Sequence, residues 1–333
     1  MGNFQSIQGV NTGRLVRNSP FILASSASFL EEFEENKQLL MSIFQLSERD
    51  LGKILSSNAY VLSRSLGFTV QPCAKYLENM HFSQDQIKSI ILRFPRILAL
   101  NTSKMDGIKE SLLGLGIGNE DFAKIVWKFP PVMGLSASKV EVTKKWLIQH
   151  GLTNENDWKA CILKFPQVLS HNLEGKFETI IEYMLNDLQL PSRVVRVALL
   201  SAPDVFGRTL DRIKYNVSAL QSIGMTHIDL TRYLASFPGG LRLDILAEPY
   251  KSKLEYLENT LGQKPAQVLP VHPRYLSYSM DRIASRAEYL QARQRSTNGV
   301  TGWCAANDLL FAEKFARSSL NEWREFKAAY QRH

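Results

Sequence analysis

The side chains best arranged to do chemistry in this sequence are cations, and the chemistry they suit is anion binding. Lys104, Lys139, Arg212 and Arg282 each stand nine residues after a proline, with Lys176 one place off. Arg93, Lys128 and Lys164 stand two residues before a proline, Arg96 and Arg274 one after, and Arg208 and Arg242 five and four after. If the prolines mark structural repeats, cations sharing an offset recur along one line of the surface. Such a line neutralises a polyanion and releases its counterions, so affinity falls steeply with salt. Arginine offers a planar fork for phosphate oxygens or a guanine edge, whereas lysine acts as a point charge. The competing reading is that these residues are solvated helix faces that keep the protein soluble.

No catalytic constellation stands beside them. Gly114-Leu115-Gly116-Ile117-Gly118 looks like a phosphate loop, but no strand precedes it and the third glycine is misplaced, so it reads as an inter-helix turn. His81, His150, His171, His227 and His272 share no repeat position and no metal-ligand spacing. No Ser, His and Asp lie in a recognisable motif, and Glu31-Glu32 with Glu34-Glu35 read as a solvated helix face. Cys73, Cys161 and Cys304 are too scattered for a disulfide framework and suit a reducing compartment. The expectation is therefore no catalytic residue, no metal, no cofactor and no enzyme.

The elements that would position the cations follow from the prolines. Pro95, Pro130, Pro166, Pro203, Pro238 and Pro273 are spaced by 35, 36, 37, 35 and 35 residues. Three residues after each comes an apolar side chain: Leu98, Met133, Leu169, Phe206, Leu241 and Leu276. Fainter copies lie at Pro20–Leu23 and Ala59–Leu62. Eight before the proline stand Ile87, Phe122, Trp158, Val195 and Leu230, and four before it Ile91, Val126, Ile162, Leu199 and Leu234. With Phe94, Phe129, Phe165 and Phe237 immediately before their prolines, these make the apolar stripe of one helix, which the proline ends. The P-x-x-L segment predicts a tight turn with a short 3₁₀ piece. A second helix follows, as in Ile213, Val217 and Leu220, closed by Gly224; Leu112 with Gly116 and Leu147 with Gly151 are equivalent. Neither helix pair can bury its face alone, so neighbours must stack. The predicted fold is all-α: a superhelical solenoid of about eight degenerate two-helix repeats with a C-terminal helical cap.

Residues 1–19 read as a tail or transit-peptide remnant, 20–295 as the array, 296–302 (within polar Gln291–Gly302) as an exposed loop, and 303–333 as the cap. Met1–Leu30 holds no Asp or Glu and carries Arg14 and Arg17, a composition that fits an organelle transit segment or a short disordered tail. Met1-Gly2 with Ser6 also matches a myristoylation pattern short enough to arise by chance. No apolar run approaches bilayer thickness, so no membrane partner is expected. Lys plus Arg exceed Asp plus Glu by 40 to 32, a net +8 that tilts mildly towards a polyanionic partner.

FPRIL (Phe94–Leu98), FPPVM (Phe129–Met133), FPQVL (Phe165–Leu169) and endings such as Leu220-Gln221-Ser222-Ile223-Gly224 resemble the repeat signature of the mitochondrial transcription termination factor (mTERF) family. The resemblance covers about residues 20–295, and Leu309–Phe315 is similar to a decayed form of the family's closing motif. It implies a curved helical solenoid holding double-stranded DNA or structured RNA against a basic surface in mitochondria or chloroplasts. The roles it implies are transcription termination or regulation, organelle RNA processing, or ribosome assembly. Carried onto this chain, the place just after the proline singles out Arg96 and Arg274 as nucleic-acid contacts. Pro238-Gly239-Gly240, about two extra residues in that repeat, His272 in place of Phe, and Phe311-Ala312 in the closing motif depart from the pattern. The alternative function is a protein-interaction scaffold, for example in ribosome assembly, with an organelle protein as partner. A monomer is expected in either case. Tyr275 and Tyr278 read as base-stacking candidates or as core.

Overall fold

In the computed structural model, residues 27–58 and 69–331 are described, with the isolated positions Gly13 and Arg17. Apart from those two, the tail 1–19 and the copies at Pro20–Leu23 and Ala59–Leu62 lie outside the described residues. The chain divides into two compact units, Met1–His171 and Asn172–His333, and the described residues of both are helical, with no strand.

The first unit holds α1 (Ala27–Phe44), α2 (Glu48–Asn58), α3 (Val70–Asn79), α4 (Gln84–Arg93), α5 (Thr102–Leu113), α6 (Asn119–Lys128), α7 (Ala137–Gln149) and α8 (Glu155–Lys164). The 3₁₀ turns Pro95–Ala99, Pro130–Gly134 and Pro166–Leu169 follow α4, α6 and α8. Each is one P-x-x-L motif. The helix before it stops because the residue preceding the proline leaves helical geometry: Phe94, Phe129 and Phe165 have φ near −140° and ψ near +75°. The expected stripe is the buried face, with Ile87, Ile91, Phe122, Val126 and Ile162 all inside. So are the two residues ending each turn: Ile97 and Leu98, Val132 and Met133, Val168 and Leu169. Successive turns touch one another, and α5 packs on α7 as α6 packs on α8. These contacts are the stacking that two-helix repeats require.

The second unit holds α9 (Glu178–Glu182), α10 (Ser192–Ser201), α11 (Leu210–Ser222), α12 (His227–Ser236), α13 (Tyr250–Glu255), α14 (Pro265–Val268) and α15 (Met280–Ala292). Turns Pro203–Gly207, Pro238–Arg242 and Tyr275–Ser277 repeat the pattern. π-helical turns Leu173–Phe177 and Tyr183–Asp187 flank α9, and another, Tyr256–Thr260, extends α13. A π turn takes up one extra residue, which accounts for Lys176 sitting one place off its offset. The extra residues after Pro238 go into the Leu243–Pro249 connection and the π turn after α13.

The glycines expected to close second helices do so in the left-handed region: Gly116, Gly151 and Gly224 have φ of 75°, 84° and 91°. Gly240 is required for a different reason. A Cβ there would lie 2.4 Å from Cε1 of Tyr233, whose ring is buried beneath the turn.

Three helices follow α15: α16 (Val300–Ala305), α17 (Asp308–Leu310, continuing as a π turn Phe311–Ala316) and α18 (Leu320–Tyr330). They form the cap around Trp303, Phe311 and Trp323, all buried, with the Phe311 and Trp323 rings 4.7 Å apart. The loop expected within Gln291–Gly302 is shorter than anticipated. Burial of Val300 and Trp303 draws helix α16 forward to residue 300, and the connection is pinned rather than loose. Arg293 donates to Ala316 O at 3.2 Å, Arg295 to Phe315 O at 3.3 Å, and Trp303 Nε1 to Thr297 O at 3.0 Å.

Gly240→Ala is expected to lower stability by about 1–3 kcal/mol through overpacking against Tyr233, measured by chemical denaturation of the full chain. Unchanged stability would contradict the close packing under this turn.

Candidate nucleic-acid interface

Helix electrostatics sort the charges before any ligand is considered. In the first unit, the first helices of the repeats begin with acids and end with cations. Asp85 opens α4, Glu120 and Asp121 open α6, and Glu155 and Asp157 open α8, whereas Arg93, Lys128 and Lys164 close them. Each arrangement complements the helix dipole. Stacking in parallel therefore gives a cationic edge along the proline turns and an acidic edge about 15 Å away, at the other end of ten-residue helices. Ion pairs between repeats tie the acidic edge: Lys88 with Asp50 at 2.8 Å and Lys159 with Asp121 at 2.9 Å. Hydrogen bonds from Lys88 and Lys159 hold the Asp50 and Asp121 carboxyls below the ordinary carboxylate range.

At the turn edge, several of the predicted contact residues are committed to the fold. The proline and the turn leave carbonyls near each helix end without an intrahelical donor. Arg93 Nη1 donates to Trp127 O at 2.6 Å and lies over the Trp127 ring, with Cζ 4.7 Å from its centroid. Lys128 Nζ donates to Leu163 O at 2.8 Å. Both carbonyls lie three residues before the next proline, so the cation of one repeat caps the helix of the next. Lys164 occupies the equivalent place, exposed but not without contacts. The set two residues before the prolines thus staples repeats together, a role its sequence spacing did not disclose.

The set nine residues after the prolines splits. Lys104 and Lys139 sit in the first turns of neighbouring α5 and α7, exposed, with no ion pair or side-chain hydrogen bond among the described residues. Lys176 instead donates to Gly207 O, Arg212 pairs with Asp244 at 2.8 Å, and Arg282 donates to Cys304 O and Ala306 O, each at 2.7 Å. These three reach the following repeat or the cap, so they do not form the uniform stripe expected of them. Arg96 and Arg274 are exposed in their turns and carry no ion pair; Arg208 is exposed beside Pro203–Gly207. Arg242 pairs with Asp204. Tyr275 belongs to the core, its hydroxyl donating to Lys253 O at 2.9 Å, while Tyr278 is half-buried beside Arg282.

A further set went unpredicted. Buried Asn216 donates to Leu241 O at 2.7 Å, buried Lys253 to Leu276 O at 2.9 Å, and buried Arg286 to Trp303 O and, at 2.8 Å, to Ala306 O. Arg286 also meets Asp308 at 2.7 Å and lies 4.5 Å from the Phe311 ring centroid. Burial lowers the pKa values of Lys253 and Arg286. Asn216 and Arg286 stand thirteen residues after their prolines, and Lys253 does too once its repeat's two extra residues are discounted. That shared offset, which holds Ile108 and buried Thr143 in the first unit and larger donors in the second, was the available signal.

Within the second unit, Arg242 and Arg274 line one recess of about 350 Å³ at the turn edge, with Ser236, Phe237, Ser277 and Tyr278. Among the described residues no group of side chains could hold a metal ion, and no helix is long and apolar enough to cross a membrane. Burial pushes the thiols of Cys73, Cys161 and Cys304 up to about 12, leaving them unreactive at neutral pH.

The family model mTERF matches the chain three times in overlapping spans, residues 13–151, 111–249 and 212–312. The chain belongs to the mTERF family. No curated protein matches it at a significant level. Membership places it among nucleic-acid-binding regulators of organellar gene expression, a helical-repeat family without enzymatic activity. The mTERF matches run past the last proline repeat into the cap, in keeping with the way Arg282 and Arg286 bind α16 and α17 as if these were one more repeat.

Arg286→Met is expected to destabilise the full chain by about 3 kcal/mol, because it strands the buried Trp303 carbonyl and removes one of two cationic partners from Ala306 O, which Arg282 still meets, and from Asp308, which Lys327 still meets. Limited proteolysis should then cut first within residues 293–331. Parent-like stability and cleavage would contradict the role of Arg286 as anchor of the cap.

Proposed function

We propose that this mTERF protein regulates mitochondrial or chloroplast gene expression by binding the phosphate backbone of double-stranded DNA or structured RNA along its proline-turn edge. The observation that carries the reading is the division of labour among the cations. Arg93, Lys128, Lys176, Arg282 and Arg286 satisfy carbonyls, whereas Arg96, Lys104 and Lys139 in the first unit and Arg274 in the second are exposed at or just after a proline turn, with no protein acceptor among the described residues. Positive side chains held out by a rigid turn, with their charge uncompensated, suit a ligand that supplies phosphates.

A second reading, a protein-binding role, draws on the acidic edge of the second unit. A recess of about 870 Å³ there has an apolar floor including Ile245 and Leu246, and a mixed rim of Asp229, Glu255, Glu258, Lys251 and Lys264. Mixed charge around apolar surface suits a protein better than a nucleic acid. The two readings use different edges and are separable.

Fluorescence anisotropy with duplex DNA, structured RNA and single strands across a salt series tests the first. Arg96→Ala combined with Arg274→Ala is expected to weaken duplex binding about tenfold and to flatten the log–log salt slope by about 1.8, since each lost phosphate contact contributes about 0.9. Thermal stability should be almost unchanged. Absence of binding to every probe at low salt contradicts the reading and favours the protein-binding role.

A further inference from the structure

Asp204 follows Pro203 as Arg96 and Arg274 follow theirs, so one turn carries a carboxylate where two others carry a guanidinium. That carboxylate is engaged across the repeat boundary. Arg242 Nη1 donates to both Asp204 oxygens at 2.8 Å. Glycine at position 239 makes room for the crossing: a Cβ there would lie 3.2 Å from Arg242 Nη2, 3.4 Å from its Cζ and 3.6 Å from Ala202 Cβ. The guanidinium therefore passes close to the backbone of Gly239 on its way to the carboxylate. Both partners are about a third exposed, at 37% and 34%, so the pair is weak enough to exchange.

Arg242 also lines the recess that holds Arg274, whose fork has no protein acceptor, and the Ser236, Ser277 and Tyr278 side chains line the same space. Two guanidinium groups beside hydroxyls are the chemistry of an oxyanion seat. We propose that this recess is a phosphate seat gated by Asp204. In the free protein Asp204 occupies the fork of Arg242; a phosphate anchored on Arg274 then takes the place of Asp204 on that fork. This rests on the reading that the turn edge meets nucleic-acid phosphates, and adds that Arg242 joins only by releasing its carboxylate. Asp204 therefore sets how tightly the second unit holds a phosphate.

The test uses the full chain, the variants Asp204→Asn, Arg242→Ala, their combination and Arg274→Ala, and two probes: a labelled DNA duplex and inorganic tripolyphosphate. Asp204→Asn should bind the duplex about 3–5-fold tighter, with a salt slope steeper by about 0.9. Arg242→Ala alone should change affinity less than twofold, and combined with Asp204→Asn it should cancel the gain. Tripolyphosphate should raise the thermal midpoint of the parent, more so in Asp204→Asn, and not in Arg274→Ala. Stabilisation by tripolyphosphate in that order without binding of the duplex, or of a structured RNA used in its place, would support the seat while refuting the nucleic-acid reading. Duplex binding that is unchanged by Asp204→Asn, or a gain that survives Arg242→Ala, overturns the gate and leaves the nucleic-acid reading standing. Failure of tripolyphosphate, the duplex and the structured RNA overturns both.

Discussion

A carbonyl left without a donor at a proline turn is the feature on which this protein is built. Proline ends each first helix and contributes no N–H, so the chain turns away with acceptors still facing the next layer. The fold satisfies them from the neighbouring repeat: Arg93 for Trp127, Lys128 for Leu163, Lys176 for Gly207, Asn216 for Leu241, Lys253 for Leu276, and Arg282 with Arg286 for the cap. Leaving a buried acceptor unmet costs about 1–3 kcal/mol, which applies to the buried contacts of Asn216, Lys253 and Arg286; those of Arg93 and Lys128 are exposed and serve to align neighbouring repeats. Apolar pairs such as Ile97 with Leu98 or Val132 with Met133 supply the adhesion, and the donors supply the alignment.

The same constraint decides which cations remain for a ligand. A basic side chain near a turn has two competing acceptors, the next repeat's carbonyl and a phosphate outside. Where the carbonyl lies within reach the fold takes the cation, and where the side chain points outward from the first turn of a second helix, as at Lys104 and Lys139, it does not. The net charge of +8 therefore overstates the charge available for recognition. In the first unit the helix dipoles favour the cations that close first helices, Arg93, Lys128 and Lys164, and the acids that open them. Lys104 and Lys139 sit in the first turns of second helices against that preference, so a phosphate is a better partner for them than the helix end.

Much of this was legible in the sequence. The 35-residue spacing, the stripe at Ile87, Phe122 and Leu230, the 3₁₀ character of P-x-x-L and the left-handed glycines at 116, 151 and 224 all follow from local rules, and the structure has them. The fates of individual cations were not legible. Lys139 and Arg212 share an offset, yet Asp244 in the next connection captures Arg212 and nothing captures Lys139. That difference lies in the three-dimensional neighbour and not in the repeat position. Of the buried donors Asn216, Lys253 and Arg286, inserted residues shift only Lys253 from the common offset; all three were obscured because polar residues on a helix read as solvated until burial is known. The cap's early start at residue 300 likewise depends on the tertiary burial of Val300 and Trp303.

Amide hydrogen exchange of the full chain, with and without a saturating DNA duplex or structured RNA, tests the central claim that the proline-turn edge is the ligand-facing edge. Protection on binding should concentrate in the turns and the first turns of the helices after them, at residues 93–104, 128–139, 238–242 and 274–282. Protection centred instead on the opposite edge, at residues 114–121, 150–157 and 222–229, would contradict it.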